Sequence, residues 1–131
     1  MLLLKTGNLL KWKPTMRYKR GEIVLVVFPD SNLRTAKRRP ALIVQADNLN
    51  TGLNQTIVAM ISSNMARANH PSRMRLLLNT TEGREAGILM DSVVMADNLA
   101  TIREIEVDRR LGVLIEMKDV DTSLRQTLAL V

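Results

Sequence analysis

Two short apolar runs joined by a polar turn dominate the middle of the chain. The first extends from Arg39 to Asp47 and the second from Thr56 to Ile61, and both are rich in β-branched residues. Runs of this length and composition are typical of buried β-strands. The turn between them, Asn48 to Asn54, holds three asparagines and one glycine. If the two strands pair antiparallel, the start of one lies beside the end of the other, so we expect Arg39 to lie close to Ser62.

Further short apolar runs predict additional strands at Glu22–Phe28, Arg73–Leu78, Ser92–Ala96, Leu99–Ile102 and Leu111–Met117. In the fourth predicted strand of the chain, 73–78, the arginines are expected to face solvent. Residues 63–72 are expected to form a loop, 80–87 a turn, and 105–110 a helical turn.

The last segment predicts an amphipathic helix. Apolar residues recur there at helical spacing, at Val120, Leu124, Leu128 and Val131, and Asp119 precedes them as the expected N-cap. Short strands followed by one terminal helix predict a mainly β fold, a small and strongly curved antiparallel β-barrel with the helix packed on it.

The net positive charge is concentrated at the start of the chain. Six lysines and arginines precede the first acid, Glu22, and account for the whole net charge of +6. We therefore expect residues 1–15 to be a basic leader and residues 16–131 to be the folded domain. The apolar runs of the leader are too short for a signal peptide or a membrane span, so no membrane association is expected.

Composition excludes several kinds of site. The chain has no cysteine and only three aromatic residues. It therefore lacks a disulfide framework, a thiol nucleophile and an aromatic platform for stacking bases. The sequence shows no metal-ligand cluster and no phosphate-binding glycine loop, so no metal or cofactor is expected.

One basic cluster stands out within the domain. It consists of Arg34, Lys37, Arg38 and Arg39. Such a cluster fits either a solvated loop or a surface that contacts phosphates.

Several segments occur in an order that is typical of one protein family. They are Lys19-Arg20-Gly21-Glu22-Ile23-Val24, Arg39-Pro40-Ala41-Leu42-Ile43-Val44-Gln45, Val58-Ala59-Met60-Ile61-Ser62-Ser63, Asp91-Ser92-Val93-Val94 followed by Asp97, Thr101 and Ile102, and finally Leu111-Gly112. Together they resemble the MazF/PemK family of toxin endoribonucleases from bacterial toxin–antitoxin pairs, over about Met16 to Leu130. The chain departs from the family pattern at Met95 and Ala100, where arginines are common.

The resemblance implies an SH3-like barrel of the MazF/CcdB/PemK kind, which forms a homodimer in the cytoplasm and is neutralised by a cognate antitoxin. It also implies metal-independent cleavage of single-stranded RNA, such as mRNA. In that reaction the 2′-hydroxyl attacks the adjacent phosphate, which needs a base, an acid and stabilisation of the charged phosphorane.

The resemblance implies catalytic roles for Arg39 and Ser62. A guanidinium can donate two parallel hydrogen bonds to phosphate oxygens, and a serine hydroxyl can donate one. Six further residues are expected to contact the substrate: Arg34, Lys37, Arg38, Ser63, Asn64 and Asp97. The base stays open between Asp97 and His70, and Asp97 also fits a structural hydrogen-bond acceptor.

Two alternatives to a nuclease remain at this stage. One is a non-catalytic toxin of the same fold class that inhibits a protein target, as the related CcdB toxin does with gyrase. The other is a barrel that binds RNA without cutting it.

Overall fold

One antiparallel sheet forms most of the structure. The computed structural model describes residues 17–29, 32 and 34–131, so the expected leader 1–15 lies outside the described residues. The strands are β1 Glu22–Pro29, β2 Ala36–Ile43, β3 Gln55–Ser62, β4 Arg73–Leu76, β5 Ser92–Arg103 and β6 Val107–Val113. Two α-helices, α1 Thr81–Glu85 and α2 Lys118–Leu128, and a 3-10 turn at Glu104–Glu106 complete it.

The six strands lie in the order β4-β5-β3-β2-β1-β6, with every recorded pairing antiparallel. The predicted mainly β fold with a C-terminal helix is confirmed. Strands β4 and β6 are the two edges of the sheet, which is therefore not closed within the part of the chain that the structure describes.

Apolar side chains are buried on both faces of the sheet. Along β1, Ile23 belongs to one buried cluster and Val24 to the other, as the two-residue period of a strand requires. Helix α2 contributes Val120 to the cluster of Ile23, with Leu124 packed against it. The helix covers this face only with its first half, since Leu128 is 50% exposed.

Strands β2 and β3 form the predicted central hairpin. Their recorded pairing joins Ile43 with Val58 and ends where Ala41 faces Met60. The next residue outward on β2 is Pro40, which has no backbone N–H to donate across to β3. Pro40 is still paired with Leu25 of β1 on its other side.

The beginning of β2 differs from the prediction. The strand starts at Ala36 and ends at Ile43, whereas the sequence predicted Arg39 to Asp47. Residues 36–39 resemble a loop in the sequence because three of the four are charged, yet they continue the ladder with β1 as far as the pairing of Ala36 with Pro29. Their side chains are exposed, so the charges do not have to be buried for the strand to form.

The prediction of two strands at 92–96 and 99–102 was wrong. They are one strand, β5, which pairs with β3 along its length. The register shifts between Ala59, which faces Leu99, and Met60, which faces Met95. The polar residues that looked like a break in the sequence therefore lie at a bulge within a continuous strand.

The turn predicted at 80–87 contains helix α1. Thr80 is its N-cap, and the Thr80 hydroxyl accepts a hydrogen bond from the Gly83 N–H at 3.0 Å. The last strand was predicted at 111–117 but lies at Val107–Val113, following a 3-10 turn rather than the expected helical turn over 105–110.

Asp119 is not the N-cap of α2. Met117 occupies that position and makes no side-chain capping bond, while Asp119 lies in the first turn. A carboxylate in the first turn is still favourable, because it lies at the positive end of the helix dipole. No helix in the described part of the chain is long and apolar enough to cross a membrane.

Candidate active site

A cavity opens where strands β2 and β3 separate beyond Pro40. It has a volume of about 590 Å³ and is lined by Arg39 and Pro40 from β2 and by Ile61 and Ser62 from β3. Arg39 and Ser62 are each two residues beyond the last recorded pair of the two strands, Ala41 with Met60. The hairpin therefore brings the two predicted catalytic side chains to one cavity.

Arg39 is exposed and makes no ion pair or side-chain hydrogen bond with any described residue. Its neighbour Arg38 lines the same cavity, but Arg38 Nε is 3.1 Å from Asp108 Oδ2. The guanidinium donors of Arg39 are therefore not engaged by any described residue.

Ser62 has a hydroxyl hydrogen available for an incoming group. Its Oγ accepts a hydrogen bond from the Asn64 backbone N–H at 3.0 Å, and it donates to no described residue. Ser62 also lines a second cavity of about 250 Å³, whose walls include Asn64, Arg67 and Arg73. Ser62 therefore lies on the walls of both cavities.

The other predicted contact residues divide into two groups. Arg38 and Ser63 line the larger cavity and Asn64 lines the smaller one. Arg34 and Lys37 are exposed and line neither cavity. The basic cluster seen in the sequence is therefore only partly directed at this site.

Asp97 lies outside both cavities and holds a hydrogen-bonded network together. It accepts two bonds from Arg73, from Nε at 2.9 Å and from Nη2 at 3.3 Å, and one from Ser72 Oγ at 2.9 Å. His70 Nδ1 in turn lies 2.7 Å from Ser72 Oγ. Arg73 was predicted to face solvent, but its side chain is only 16% exposed because this carboxylate holds it.

The pKa of Asp97 reflects these contacts. Partial burial raises it, but the hydrogen bonds from Arg73 and Ser72 and the charge of Arg73 outweigh burial, so the pKa lies below 3.8. Asp97 thus behaves as a structural acceptor that orients Arg73 beside the smaller cavity. His70 lines neither cavity.

Part of the larger cavity was not predicted from the sequence. Arg109 and Leu111 of β6 line it, as do Leu89 and Met90 of the loop before β5. The signal for Arg109 was weak, because an Arg-Arg pair in an exposed strand has no distinguishing local pattern. Its position follows from β1, where Leu25 pairs with Pro40 on one side and Arg109 on the other.

Neither cavity has a carboxylate or an imidazole among its described lining residues. Within the residues that the structure describes, no three His, Cys, Asp or Glu side chains are grouped so that they could hold a metal ion.

Residues 19–128 match the family model described as the PemK-like, MazF-like toxin of type II toxin-antitoxin system. Among curated proteins, endoribonuclease MazF6 of Mycobacterium tuberculosis is 34% identical over 105 residues, which cover 78% of this chain and 88% of that protein. Endoribonuclease MazF2 of Mycobacterium bovis matches with the same identity and coverage.

Solved structures show the same fold. The Mycobacterium tuberculosis toxin MazF-mt6 superposes with a TM-score of 0.65 at 20% identity, covering 84% of this chain and 98% of that one. A mycobacterial endoribonuclease in complex with its cognate antitoxin gives a TM-score of 0.66 at 20% identity, with 87% and 97% covered. The MazE–MazF complex of Deinococcus radiodurans gives 0.66 at 18% identity, with 87% and 98% covered.

Proposed function

The chain belongs to the family of PemK-like and MazF-like toxins of type II toxin–antitoxin systems, and from that premise we propose that it is an endoribonuclease. Its substrate is single-stranded RNA, including mRNA, and the reaction is metal-independent attack of a 2′-hydroxyl on the adjacent phosphate. The observation that carries the proposal is the pairing of an unengaged guanidinium, Arg39, with an available hydroxyl, Ser62, on the walls of one open cavity.

Arg39 stabilises the charge that develops on the phosphate. As the 2′-oxygen adds to phosphorus, the equatorial oxygens gain negative charge. The planar guanidinium can donate two parallel hydrogen bonds to them. Because Arg39 has no carboxylate partner among the described residues, it does not have to break an ion pair to do so.

Ser62 has the complementary role. The Asn64 N–H fixes the position of its oxygen at 3.0 Å, which leaves the hydroxyl hydrogen to donate to a phosphoryl oxygen or to orient the 2′-hydroxyl. Arg38, Ser63 and Asn64 extend the polar wall on which the RNA backbone lies. Charge stabilisation by Arg39 and Ser62 is the contribution that we assign to the protein.

A nuclease of this kind must be restrained in the cytoplasm, where it meets mRNA. We therefore include a cognate antitoxin in the proposal. The exposed basic residues of β2, Lys37 to Arg39, suit an acidic and disordered segment that folds on binding. Such a segment would cover Arg39 and compete with RNA.

The proposal is tested by incubating a long RNA with the purified protein in EDTA and mapping the new ends. We expect cleavage that leaves 2′,3′-cyclic phosphates. Arg39→Ala should reduce the cleavage rate roughly 100- to 1000-fold, because removing one hydrogen-bond donor that stabilises transition-state charge has an effect of this size in other enzymes. Arg39→Lys should recover only part of the activity, because an ammonium cannot make the two-pronged contact.

Arg125→Ala is the matched control, since it removes one exposed arginine from α2 that lines neither cavity. All variants should keep the wild-type circular dichroism spectrum. A folded Arg39→Ala protein that cuts at the wild-type rate would contradict the assignment of Arg39. A wild-type protein that cuts no RNA would favour a non-catalytic toxin.

A further inference from the structure

Four arginines flank strand β1 from its two neighbours. Arg38 and Arg39 belong to β2, while Arg109 and Arg110 belong to β6. Since neighbouring strands lie roughly 5 Å apart, the two pairs are separated by about 10 Å of sheet. They form two rows of positive charge with β1 between them.

Carboxylates neutralise one arginine of each pair. Arg38 is paired with Asp108, and Arg110 Nε lies 2.6 Å from Glu22 Oε2. Arg39 and Arg109 make no such contact with any residue that the structure describes. The two arginines without a carboxylate partner both line the larger cavity, and Arg110 does not.

This distribution distinguishes Arg109 from an ordinary surface charge. Asp108, the acid next to Arg109 in sequence, is paired with Arg38, and Glu22 of the neighbouring strand β1 is paired with Arg110. Arg109 is left on the cavity wall beside Leu111, without a carboxylate partner among the described residues. A free guanidinium in an open cavity that already contains another is suited to a ligand with more than one negative charge.

We propose that Arg109 binds a phosphate of the RNA that neighbours the scissile phosphate. The inference rests on the proposed function, because it takes the polyanion in the cavity to be RNA. Arg39 then acts on the phosphate that reacts, and Arg109 fixes the register of the strand by holding the next one. Arg109 is accordingly a positioning residue, and its contact is the same for every base sequence.

The test separates binding from chemistry. The probe is a short RNA containing the mapped cleavage site, with a 2′-O-methyl group at the cleaved nucleotide so that it binds without reacting. Arg109→Ala should weaken its binding roughly tenfold, as expected for a lost charge-assisted hydrogen bond. The slope of log Kd against log salt should fall by about 0.7, which is the contribution of one phosphate contact on a single strand.

With the unmodified RNA, Arg109→Ala should raise KM and leave kcat within about threefold, because an interaction kept equally in the ground and transition states changes KM alone. Arg109→Lys should restore most of the salt slope. Arg110→Ala is the matched control, since it removes the same charge from the adjacent position but lies outside the cavity. It should match wild type in Kd, salt slope and KM.

Two results would overturn the inference while the proposed function stands. One is that Arg109→Ala has the same Kd and salt slope as Arg110→Ala, although the wild-type protein cuts RNA and Arg39→Ala does not. The other is a loss in kcat as large as that of Arg39→Ala without a change in the salt slope, which would place Arg109 in the chemical step. If wild type fails to cut RNA, the proposed function itself fails, and this inference with it.

Discussion

Ser62 differs from Arg39 in that it offers one neutral hydrogen bond. Ser62→Ala should therefore reduce the cleavage rate less than Arg39→Ala does, by roughly tenfold, the effect of a typical uncharged hydrogen bond. Ser62→Thr should keep activity because it retains the hydroxyl. The measurement is kcat/KM on the mapped RNA site, and a Ser62→Ala protein as fast as wild type would show that the hydroxyl is not the active group.

Asp97 should make part of the fold stability depend on pH. Its pKa is lower in the folded protein than the ordinary value of 3.8. The folded state therefore favours the ionised carboxylate of Asp97. The stabilisation that results is complete at pH values above the ordinary pKa, and it is lost as the pH falls through the folded-state pKa. Wild type should be more stable than Asp97→Asn at pH 7, and the difference should shrink below about pH 4.

Urea denaturation of both proteins between pH 7 and pH 3 measures this difference. If it stayed constant over the whole range, the network of Arg73, Ser72 and Asp97 would not be linked to protonation of the carboxyl group.

The positions predicted best from the sequence are those of residues placed by pairing within one hairpin. Arg39 and Ser62 lie on the two strands of one hairpin at its open end, so their common cavity followed from the two apolar runs that flank a turn. Arg109 reaches the same cavity because β6 pairs with β1, and these two strands are distant in the sequence. Arg73 was misjudged for a similar reason, because its partner Asp97 lies 24 residues away.

At the scale of elements, helix α1 depends on its cap. It has only five residues, so few internal hydrogen bonds sustain it. Thr80→Ala removes the bond to the Gly83 N–H and should cost about 1 kcal/mol of stability. Thr80→Ser, which keeps the hydroxyl, is the control and should be close to wild type in urea denaturation. Equal stability of Thr80→Ala and Thr80→Ser would mean that packing alone holds α1.

Short or irregular elements were the ones that the sequence did not predict. A five-residue helix is barely longer than one helical period, so α1 carries no repeating apolar pattern, and Gly83 within it suggested a turn. Gly83 is required there, because a Cβ would lie 2.0 Å from the Leu77 carbonyl oxygen. The bulge in β5 likewise interrupts the alternation of apolar residues without ending the strand.

The whole molecule should be a homodimer. Several large apolar side chains are exposed, including Leu89 at 88% and Ile115 at 73%. Exposed apolar surfaces are commonly covered by a second chain. Light scattering at micromolar concentration should give twice the mass of the 14.7 kDa chain. A monomeric mass under those conditions would contradict this expectation.

The cavity is built from parts of unequal rigidity, and this affects how relatives of the protein can diverge. Arg39, Ser62 and Arg109 project from strands of the sheet, whose pairing fixes their spacing, while Leu89 and Met90 lie in a connecting segment. Substitutions in such a segment disturb a fold less than substitutions in paired strands. Duplicated genes could therefore acquire new RNA sequence preferences through Leu89 and Met90 while the arginine and serine that we propose to act on the phosphate stay in place.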